Sequence, residues 1–266
     1  MYPRVFVDSH CHLNLNALAD RASIIEEANR AGVFLLNTIS TKRSEWKELH
    51  SVALANDCVF YTVGVHPLNV DDSDITTCSF EEYVSHHKMI GIGEIGLDFH
   101  LPNVNKVRQI EAFEYQLEVS TMRNLPVVIH QRDAHDEMLR TLQKFKGRVR
   151  GVIHCFTGTY DMAVSYIDLG FYISFSGIIT FNGADIIREC ASKIPMDKVL
   201  IETDSPYLAP VPYRGKTNFP RNVVEIAKKI AILRGVTIEE IGKITTDNFF
   251  ALFDRNDMRN KFFREI

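Results

Sequence analysis

Short runs of β-branched and other apolar residues alternate along the chain with longer segments in which apolar residues recur every three or four positions. The short runs predict strands, and the longer segments predict amphipathic helices. Eight strands are predicted, at Arg4–His10, Phe34–Ser40, Val59–His66, Met89–Asp98, Pro126–Gln131, Gly151–Phe156, Phe171–Gly177 and Lys198–Asp204.

Helical patterns fill the intervals between these strands, and two more follow the last strand. The predicted helices are Asp20–Ala31, Arg43–Asn56, Phe80–His87, Val104–Asn124, Ala134–Phe145, Tyr160–Leu169, Ala184–Ser192, Asn222–Leu233 and Ile238–Phe253. In the fourth, Ile110, Phe113 and Leu117 are spaced to lie on one helical face. The last helix follows Thr237, and Glu240 three residues later completes a capping-box pattern.

Eight strands, each followed by a helix, predict an α/β fold of the (β/α)8 or TIM-barrel type. The final helix, Ile238–Phe253, is then an addition to the barrel. The chain of 266 residues has the usual size for this fold. Because the sequence shows no repeat, linker or change of composition, residues 1–266 are expected to form one domain. A doubly wound parallel sheet is the alternative fold.

Composition narrows the classes of function. The chain is 45% hydrophobic and 24% charged, which argues against disorder and low complexity. The net charge of −4, without long blocks of either sign, argues against a protein that coats nucleic acid by charge alone. It leaves room for an enzyme that contacts a few phosphates.

The chain shows no apolar run near the roughly 20 residues that a membrane span needs. Its first residues, Met1–Arg4, lack the apolar stretch of a signal peptide. The five cysteines are scattered and form no CxxC pair, which favours reduced thiols. We therefore expect a soluble cytoplasmic protein, with no membrane contact and no obligate protein partner.

Imidazole and carboxylate groups gather at the carboxyl ends of the predicted strands. His10 and His12 end the first strand, and the side chains at positions i and i+2 of a strand share a face. They can therefore hold one metal ion together, while Cys11 points away. The groups at the ends of other strands are His66, Glu94, His130, His154 and Asp204. A single histidine there is usually a core or loop residue, but seven such groups predict a metal site.

Six stretches of the chain carry a resemblance to a known family. They are 8–13 (DSHCHL), 64–67 (GVHP), 93–98 (GEIGLD), 126–134 (PVVIHQRDA), 154–158 (HCFTG) and 202–210 (ETDSPYLAP), the last continuing to Arg214-Gly215-Lys216. In this order they resemble the TatD family of metal-dependent deoxyribonucleases, within the amidohydrolase-like barrels. Phe99 stands where many relatives carry Tyr, and residues 258–266 match no motif of the family.

The resemblance implies two divalent metal ions. One would be held by His10, His12, Glu94 and Asp204, and the other by Glu94, His130 and His154. Glu94 would thus be shared by both ions. Imidazole together with carboxylate suits Zn, Mn, Fe or Ni, and carboxylates also admit Mg. The sequence therefore leaves open which of these metals is bound, with Mg, Mn and Zn the leading candidates.

The activity implied is hydrolysis of phosphodiester bonds in DNA by metal-activated water, with nucleotides removed from an end. Asp204 and Glu94 are the expected catalytic residues, and Asp204 would orient the water and take its proton. Asp98 is a second choice for that role. The expected substrate contacts are His66, Arg132, Tyr207, Arg214 and Lys216. For these, an outer-shell contact for His66, surface salt bridges for the cations and a packing role for Tyr207 are alternatives.

Two other functions stay open at this point. The same activated water could attack an amide or ester, as in many amidohydrolase-like barrels. Those with two metals commonly bridge them through a modified lysine, whereas this chain carries Glu94 at the equivalent position, which favours the phosphodiester. A binding protein without catalysis on the same barrel is the third possibility, and it predicts that ligands have been lost. None of the expected ligands is missing.

Overall fold

The computed structural model describes residues 5–15, 18, 20–71, 80–255 and 258–260, and its centre is an eight-stranded parallel sheet. The strands are β1 (Phe6–Cys11), β2 (Val33–Ile39), β3 (Val59–Val63), β4 (Met89–Asp98), β5 (Val127–Arg132), β6 (Gly151–Ile153), β7 (Tyr172–Phe175) and β8 (Val199–Ile201). They pair in chain order from β1 to β8, and a bridge between Cys11 and Ser205 joins the two outer strands. The barrel prediction is confirmed, and the doubly wound alternative is wrong.

Helices surround this sheet. They are α1 (Arg21–Arg30), α2 (Trp46–Ala55), α3 (Glu81–Val84), α4 (Lys106–Arg123), α5 (His135–Gln143), α6 (Tyr160–Ile167), α7 (Asp185–Lys193), α8 (Val223–Arg234) and α9 (Ile238–Phe253). Every predicted helix is present, with small differences at the ends. Within the described ranges, no helix has both the length and the apolar character that crossing a membrane requires.

Four strands end at least two residues earlier than the sequence predicts: β3 at Val63, β6 at Ile153, β7 at Phe175 and β8 at Ile201. His66, His154 and Asp204 therefore lie in the loops that follow their strands. Cys155 with φ 44° and Asp204 with φ 55° have left-handed backbone, which an extended strand does not contain. Arg4, the predicted start of β1, lies outside the described residues.

The predicted helix signals are found in the structure. The Thr237 side chain accepts from the backbone N–H of Glu240, whose carboxylate accepts from the N–H of Thr237, so the capping box of α9 is formed. On α4, Phe113 and Leu117 are fully buried, and Ile110 packs half-buried beside them. These contacts fix α4 against the sheet on the face that its sequence predicts.

The amino-terminal end of the barrel is closed by apolar side chains. Val7, Ile90 and Leu200 belong to a buried cluster that also contains Phe249 and Phe253 of α9. The added helix thus covers the end of the barrel where the strands begin. The opposite end, where the strands finish, carries the polar side chains.

Backbone hydrogen bonds hold the loop after β8 against the end of β1. The N–H of Asp204 donates to the carbonyl of His10 at 2.9 Å, and the N–H of His12 donates to that of Ser205 at 2.8 Å. The first and last strands therefore place their polar residues side by side at the carboxyl end.

Candidate metal centre

His10 at the end of β1 and His12 just after it meet Asp204 at the carboxyl end of the barrel. The Nε2 atoms of His10 and His12 lie 3.2 Å apart. Oδ1 of Asp204 lies 3.5 Å from Nε2 of His10 and 3.3 Å from Nε2 of His12. One group of donor atoms is thus assembled from residues almost two hundred positions apart in the chain.

Glu94 stands between this group and a second one. Its Oε2 lies 3.7 Å from Nε2 of His10. Its Oε1 lies 2.8 Å from Nε2 of His154, 3.0 Å from Nδ1 of His130 and 3.5 Å from Nε2 of His66. Each oxygen of the one carboxylate therefore faces a different set of imidazoles, which is the arrangement expected of a group shared by two sites.

Two glycines allow β4 to come close enough to β5 for this contact. A Cβ atom at Gly93 would lie 2.6 Å from Cβ of Val128. One at Gly96 would lie 2.1 Å from the carbonyl oxygen of His130, and Gly96 also has φ +139°, which favours glycine. The glycines on either side of Glu94 therefore permit the short distance between Glu94 and His130.

A neighbouring carbonyl fixes which nitrogen of His12 faces the site. Nδ1 of His12 lies 3.1 Å from the backbone oxygen of Ile39. Because a carbonyl oxygen only accepts, Nδ1 carries the proton of the neutral ring. The unprotonated Nε2 then points at His10 and Asp204, as a metal ligand requires.

Two buried carboxylates orient the other imidazoles in the same way. Oε1 of Glu202 lies 3.2 Å from Nδ1 of His154 and also accepts from the N–H of Cys155 at 2.7 Å. Oδ2 of Asp98 lies 3.0 Å from Nε2 of His130. Each ring donates to its carboxylate, so in the neutral ring the lone pair is on the opposite nitrogen, which faces Glu94. Such carboxylate–histidine pairs orient metal-binding imidazoles.

The electrostatics of the cluster favour a cation at its centre. Burial lowers the pKa of His154, but the negative charges of Glu94 and Glu202 outweigh it and raise that pKa well above the usual range. Burial raises the pKa of Glu94, but the charge of His154 and the hydrogen bonds from His130 and His154 hold it well below its usual range, so the carboxylate is ionised. Without a metal ion, His154 would therefore bind a second proton and donate it to Glu94, and a divalent ion can take the place of that proton. The donor set therefore fits divalent metal ions: in each of three overlapping groups of three residues, the donor atoms lie within 4.8 Å of one another.

His66 differs from the other four histidines. Its Nδ1 accepts a hydrogen bond from the backbone N–H of Leu68 at 3.1 Å, so the proton of the neutral ring is on Nε2. Burial lowers the pKa of His66 to about 3, which keeps the ring neutral. Although Nε2 is close enough to Glu94 and His130 to be grouped with them, its N–H acts as a donor. His66 therefore offers a hydrogen bond to the cavity and no lone pair to a metal.

The cluster opens into a cavity of about 680 Å³. Of the expected substrate contacts, His66, Arg132 and Tyr207 line it, and the Tyr207 ring is 54% exposed. Arg214 and Lys216 are not among its lining residues.

Two of the predicted residues lie away from the cavity wall in this structure, and their roles stay predictions. The guanidinium of Arg214 lies 3.6 Å from the centre of the Phe181 ring, an attraction that holds it against the protein instead of in the cavity. Asp98 is buried behind His130 and does not line the cavity, so its second-choice role as the water-orienting group is not supported.

The sequence reasoning missed two buried acids beside the cluster. Glu202 orients His154, as described above. Asp8 accepts from the N–H of Thr203 at 2.8 Å and contacts its hydroxyl at 2.5 Å, and burial raises the pKa of Asp8 to about 8. The sequence does contain a signal for these acids, because each one precedes a predicted ligand by two positions at the end of an apolar strand.

Comparisons with known proteins agree with this geometry. The family model described as TatD related DNase matches residues 7–254. The uncharacterized metal-dependent hydrolase YcfH of Escherichia coli (strain K12) is 40% identical over 256 residues, covering 93% of this chain and 95% of the relative. The uncharacterized metal-dependent hydrolase YabD of Bacillus subtilis (strain 168) is 36% identical over 253 residues, covering 94% of this chain and 99% of the relative.

A solved structure resembles the whole barrel. The crystal structure of YJJV, a TatD homolog from Escherichia coli K12, superposes with a TM-score of 0.90 at 26% identity, covering 96% of this chain and 100% of the other. The match of the family model extends over both donor groups, from His10 and His12 to Asp204. The chain therefore belongs to the TatD family of metal-dependent hydrolases.

Proposed function

We propose that this protein hydrolyses phosphodiester bonds in DNA, removing nucleotides from an end, with water activated by two divalent metal ions. The position of Glu94 between two groups of donors carries this proposal, because it gives two adjacent sites that share one carboxylate. Two adjacent ions lower the pKa of a shared water and neutralise charge that develops on a phosphate. The description of the family as related to a DNase supports the choice of substrate.

The proposed ligands are those that the resemblance implies, and the short distances among them support the choice. His10, His12, Glu94 and Asp204 would hold one ion, and Glu94, His130 and His154 would hold the other. Nitrogen and carboxylate donors in this ratio accept Mg, Mn or Zn. Glu202 and Asp98 keep the rings of His154 and His130 turned toward the ions.

Asp204 is the proposed proton acceptor. Its side chain lines the cavity and keeps 13% exposure, whereas Glu94 is only 4% exposed. A carboxylate at the edge of the site can orient a water toward the phosphate and take its proton. Glu94, held among several imidazoles, has the positioning role.

Substrate recognition is assigned to three residues of the cavity wall. The Nε2–H of His66 and the guanidinium of Arg132 donate to phosphate oxygens, the latter through two parallel hydrogen bonds. Tyr207, exposed at the rim, stacks on the terminal base. Arg214 and Lys216 are left outside the proposed site.

We also place the protein in the cytoplasm. Cys11 and Cys190 are buried free thiols, and Cys155 is a half-buried one. Unpaired cysteines in a folded core are typical of a reducing compartment. Cys78 lies outside the described residues.

The test is to replace Glu94 and Asp204 by Ala separately and to digest end-labelled single-stranded DNA with Mg²⁺ or Mn²⁺. Since each variant loses a ligand, we expect activity to fall by at least about a hundredfold. Glu239→Ala, which removes an exposed carboxylate from α9, is the matched control and should retain full activity. Full activity in either site variant would contradict the proposed mechanism.

A substrate panel decides which bond is broken. The metal-loaded protein is incubated with DNA, with a p-nitrophenyl phosphodiester, and with N-acyl and ester compounds. Turnover of the two phosphodiesters supports the proposal. Turnover of the N-acyl or ester compounds alone would show that the amide or ester hydrolase alternative is correct.

A further inference from the structure

A second cavity of about 640 Å³ lies beside the metal cavity. The two share Gln131, Arg132 and Thr157 among their lining residues. The second cavity is formed by the loops after β4, β5 and β6 and by the first turns of α4 and α5. A chain molecule held at the metal centre can therefore continue past Arg132 into this space.

Two cations line the second cavity without a partner of opposite charge. Arg132 is exposed at the end of β5, and Lys106 begins α4. Neither forms an ion pair with any residue in the described part of the chain. The Nζ atom of Lys106 lies 4.6 Å from the centre of the Phe99 ring. This contact restricts the flexible side chain and keeps its ammonium at the wall of the cavity.

One of the three acids of the same cavity is paired with a cation, and a second is hydrogen-bonded to an imidazole. Asp133 lies 2.7 Å from Nδ1 of His100, and the carboxylate of Glu137 is paired with Arg140 at 2.6 Å. Asp136, in the first turn of α5, is the remaining acid of the lining. Lys106 and Arg132 are thus balanced in number by Asp133 and Asp136, and an anionic occupant is favoured locally, beside the two cations at the wall shared with the metal cavity.

We propose that this second cavity binds the DNA strand one unit away from the bond that is cut, with Lys106 contacting the next backbone phosphate. The inference rests on the proposed function. It implies that the protein prefers DNA strands long enough to reach the second cavity. A groove with spaced cations that follows the backbone is how proteins hold single strands without reading their sequence. Arg132, which lines both cavities, lies where the strand passes from one to the other.

The test compares substrates with and without that next phosphate. The p-nitrophenyl ester of thymidine monophosphate has a single phosphodiester, whereas decathymidylate continues along the groove. For Lys106→Ala we expect the KM for decathymidylate to rise about fivefold, since one charged phosphate contact is lost. The KM for the p-nitrophenyl ester should not change.

Salt dependence gives an independent measurement. Each phosphate contact with a single strand contributes about 0.7 to the slope of log affinity against log salt concentration. For decathymidylate, the slope of log kcat/KM should therefore be smaller by about that amount in Lys106→Ala. Lys243→Ala, which removes an exposed lysine from α9 at the other end of the barrel, is the matched control. It should leave both the KM and the slope unchanged.

The outcomes separate the two proposals. If Lys106→Ala changes both substrates equally or neither, the second cavity does not bind the strand, and the proposed function stands. If the metal-loaded wild-type protein cuts neither substrate, the proposed function itself is wrong. An effect on decathymidylate alone, absent from Lys243→Ala, supports the strand path.

Discussion

The two ends of the barrel bury very different side chains. At the amino end, Phe249, Phe250 and Phe253 of α9 pack on the first residues of the strands, and the contacts are apolar. At the carboxyl end, His10 and Glu94 are equally inaccessible to water, yet they are polar or charged. Burying apolar surface stabilises a fold, whereas burying charge costs free energy unless it is paired.

This difference means that the residues that stabilise the fold and the residues that bind ligands lie at opposite ends of the barrel. The amino end stabilises the closed barrel and touches no ligand. The carboxyl end holds buried imidazoles and carboxylates whose negative charge is compensated by a bound cation. Substitutions at the amino end should therefore change the free energy of unfolding, and those at the carboxyl end should change metal affinity.

The largest expected effect is at the amino end. Phe249→Ala removes a fully buried ring from the cluster between α9 and the strands. Because it leaves a cavity, the free energy of unfolding should fall by about 3–5 kcal/mol, measured by urea denaturation in a chelator. Metal affinity of the folded variant should be unchanged.

Ile232→Ala is the matched control for this substitution. Ile232 is 76% exposed on α8, so its loss should alter the free energy of unfolding by less than about 0.5 kcal/mol. A weakened metal affinity in folded Phe249→Ala would show that the two ends are energetically coupled.

The next effect is expected at the carboxyl end. Glu202→Gln removes a charge behind His154, while its amide oxygen can still accept from the N–H of Cys155. Because the carboxylate raises the basicity of the ring, metal affinity measured by calorimetry should fall about 10- to 100-fold. Glu239→Gln, on the distant α9, should bind metal like the wild type. An unchanged affinity in Glu202→Gln would remove the orienting role assigned to Glu202.

The smallest expected effect is the change in the free energy of unfolding for each unit of pH. Burial raises the pKa of Asp8 to about 8, far above the value of about 3.9 in an unfolded chain. Between these values the folded state holds one more proton than the unfolded state. The Asp8 contribution to stability is therefore complete below about pH 4 and is lost as the pH rises through about 8.

This contribution is isolated by comparison with Asp8→Asn, whose amide keeps both contacts with Thr203 and cannot titrate. The free energy of unfolding of the wild type, minus that of Asp8→Asn, should decrease between pH 5 and 8 by up to about 1 kcal/mol per pH unit. Urea denaturation of both proteins in a chelator measures it. A difference independent of pH would show that Asp8 is ionised in the fold.

Sequence patterns were sufficient for the elements and for the end of the barrel that carries the chemistry. β4 spans the predicted Met89–Asp98 without change, because its apolar run is bounded by clear polar residues. Of the strands that end earlier than predicted, β6 and β8 are followed within three residues by Cys155 and Asp204, which adopt positive φ. Nothing in the local sequence signals that conformation, since neither residue is glycine.

The cationic side chains in the loop between β8 and α8 show another limit of prediction from sequence. Arg214 and Lys216 follow residues 202–210, a stretch that resembles a motif of the family. From this resemblance alone they were expected to contact a phosphate of the substrate. In the structure, Arg214 packs on Phe181, which follows β7. A guanidinium is attracted to an aromatic face wherever the fold supplies one, and that neighbour is known only after folding.

The sequence by itself determined the barrel and placed imidazoles and carboxylates at the carboxyl ends of its strands, because the positions of ligands along parallel strands are local properties. Only the tertiary structure decided what each imidazole does. His12 is turned by a carbonyl of β2, His154 by Glu202 after β8, and His66 by an amide in its own loop. A neutral imidazole has one proton for two nitrogens, so its partner from elsewhere in the fold decides whether it offers a lone pair or a hydrogen.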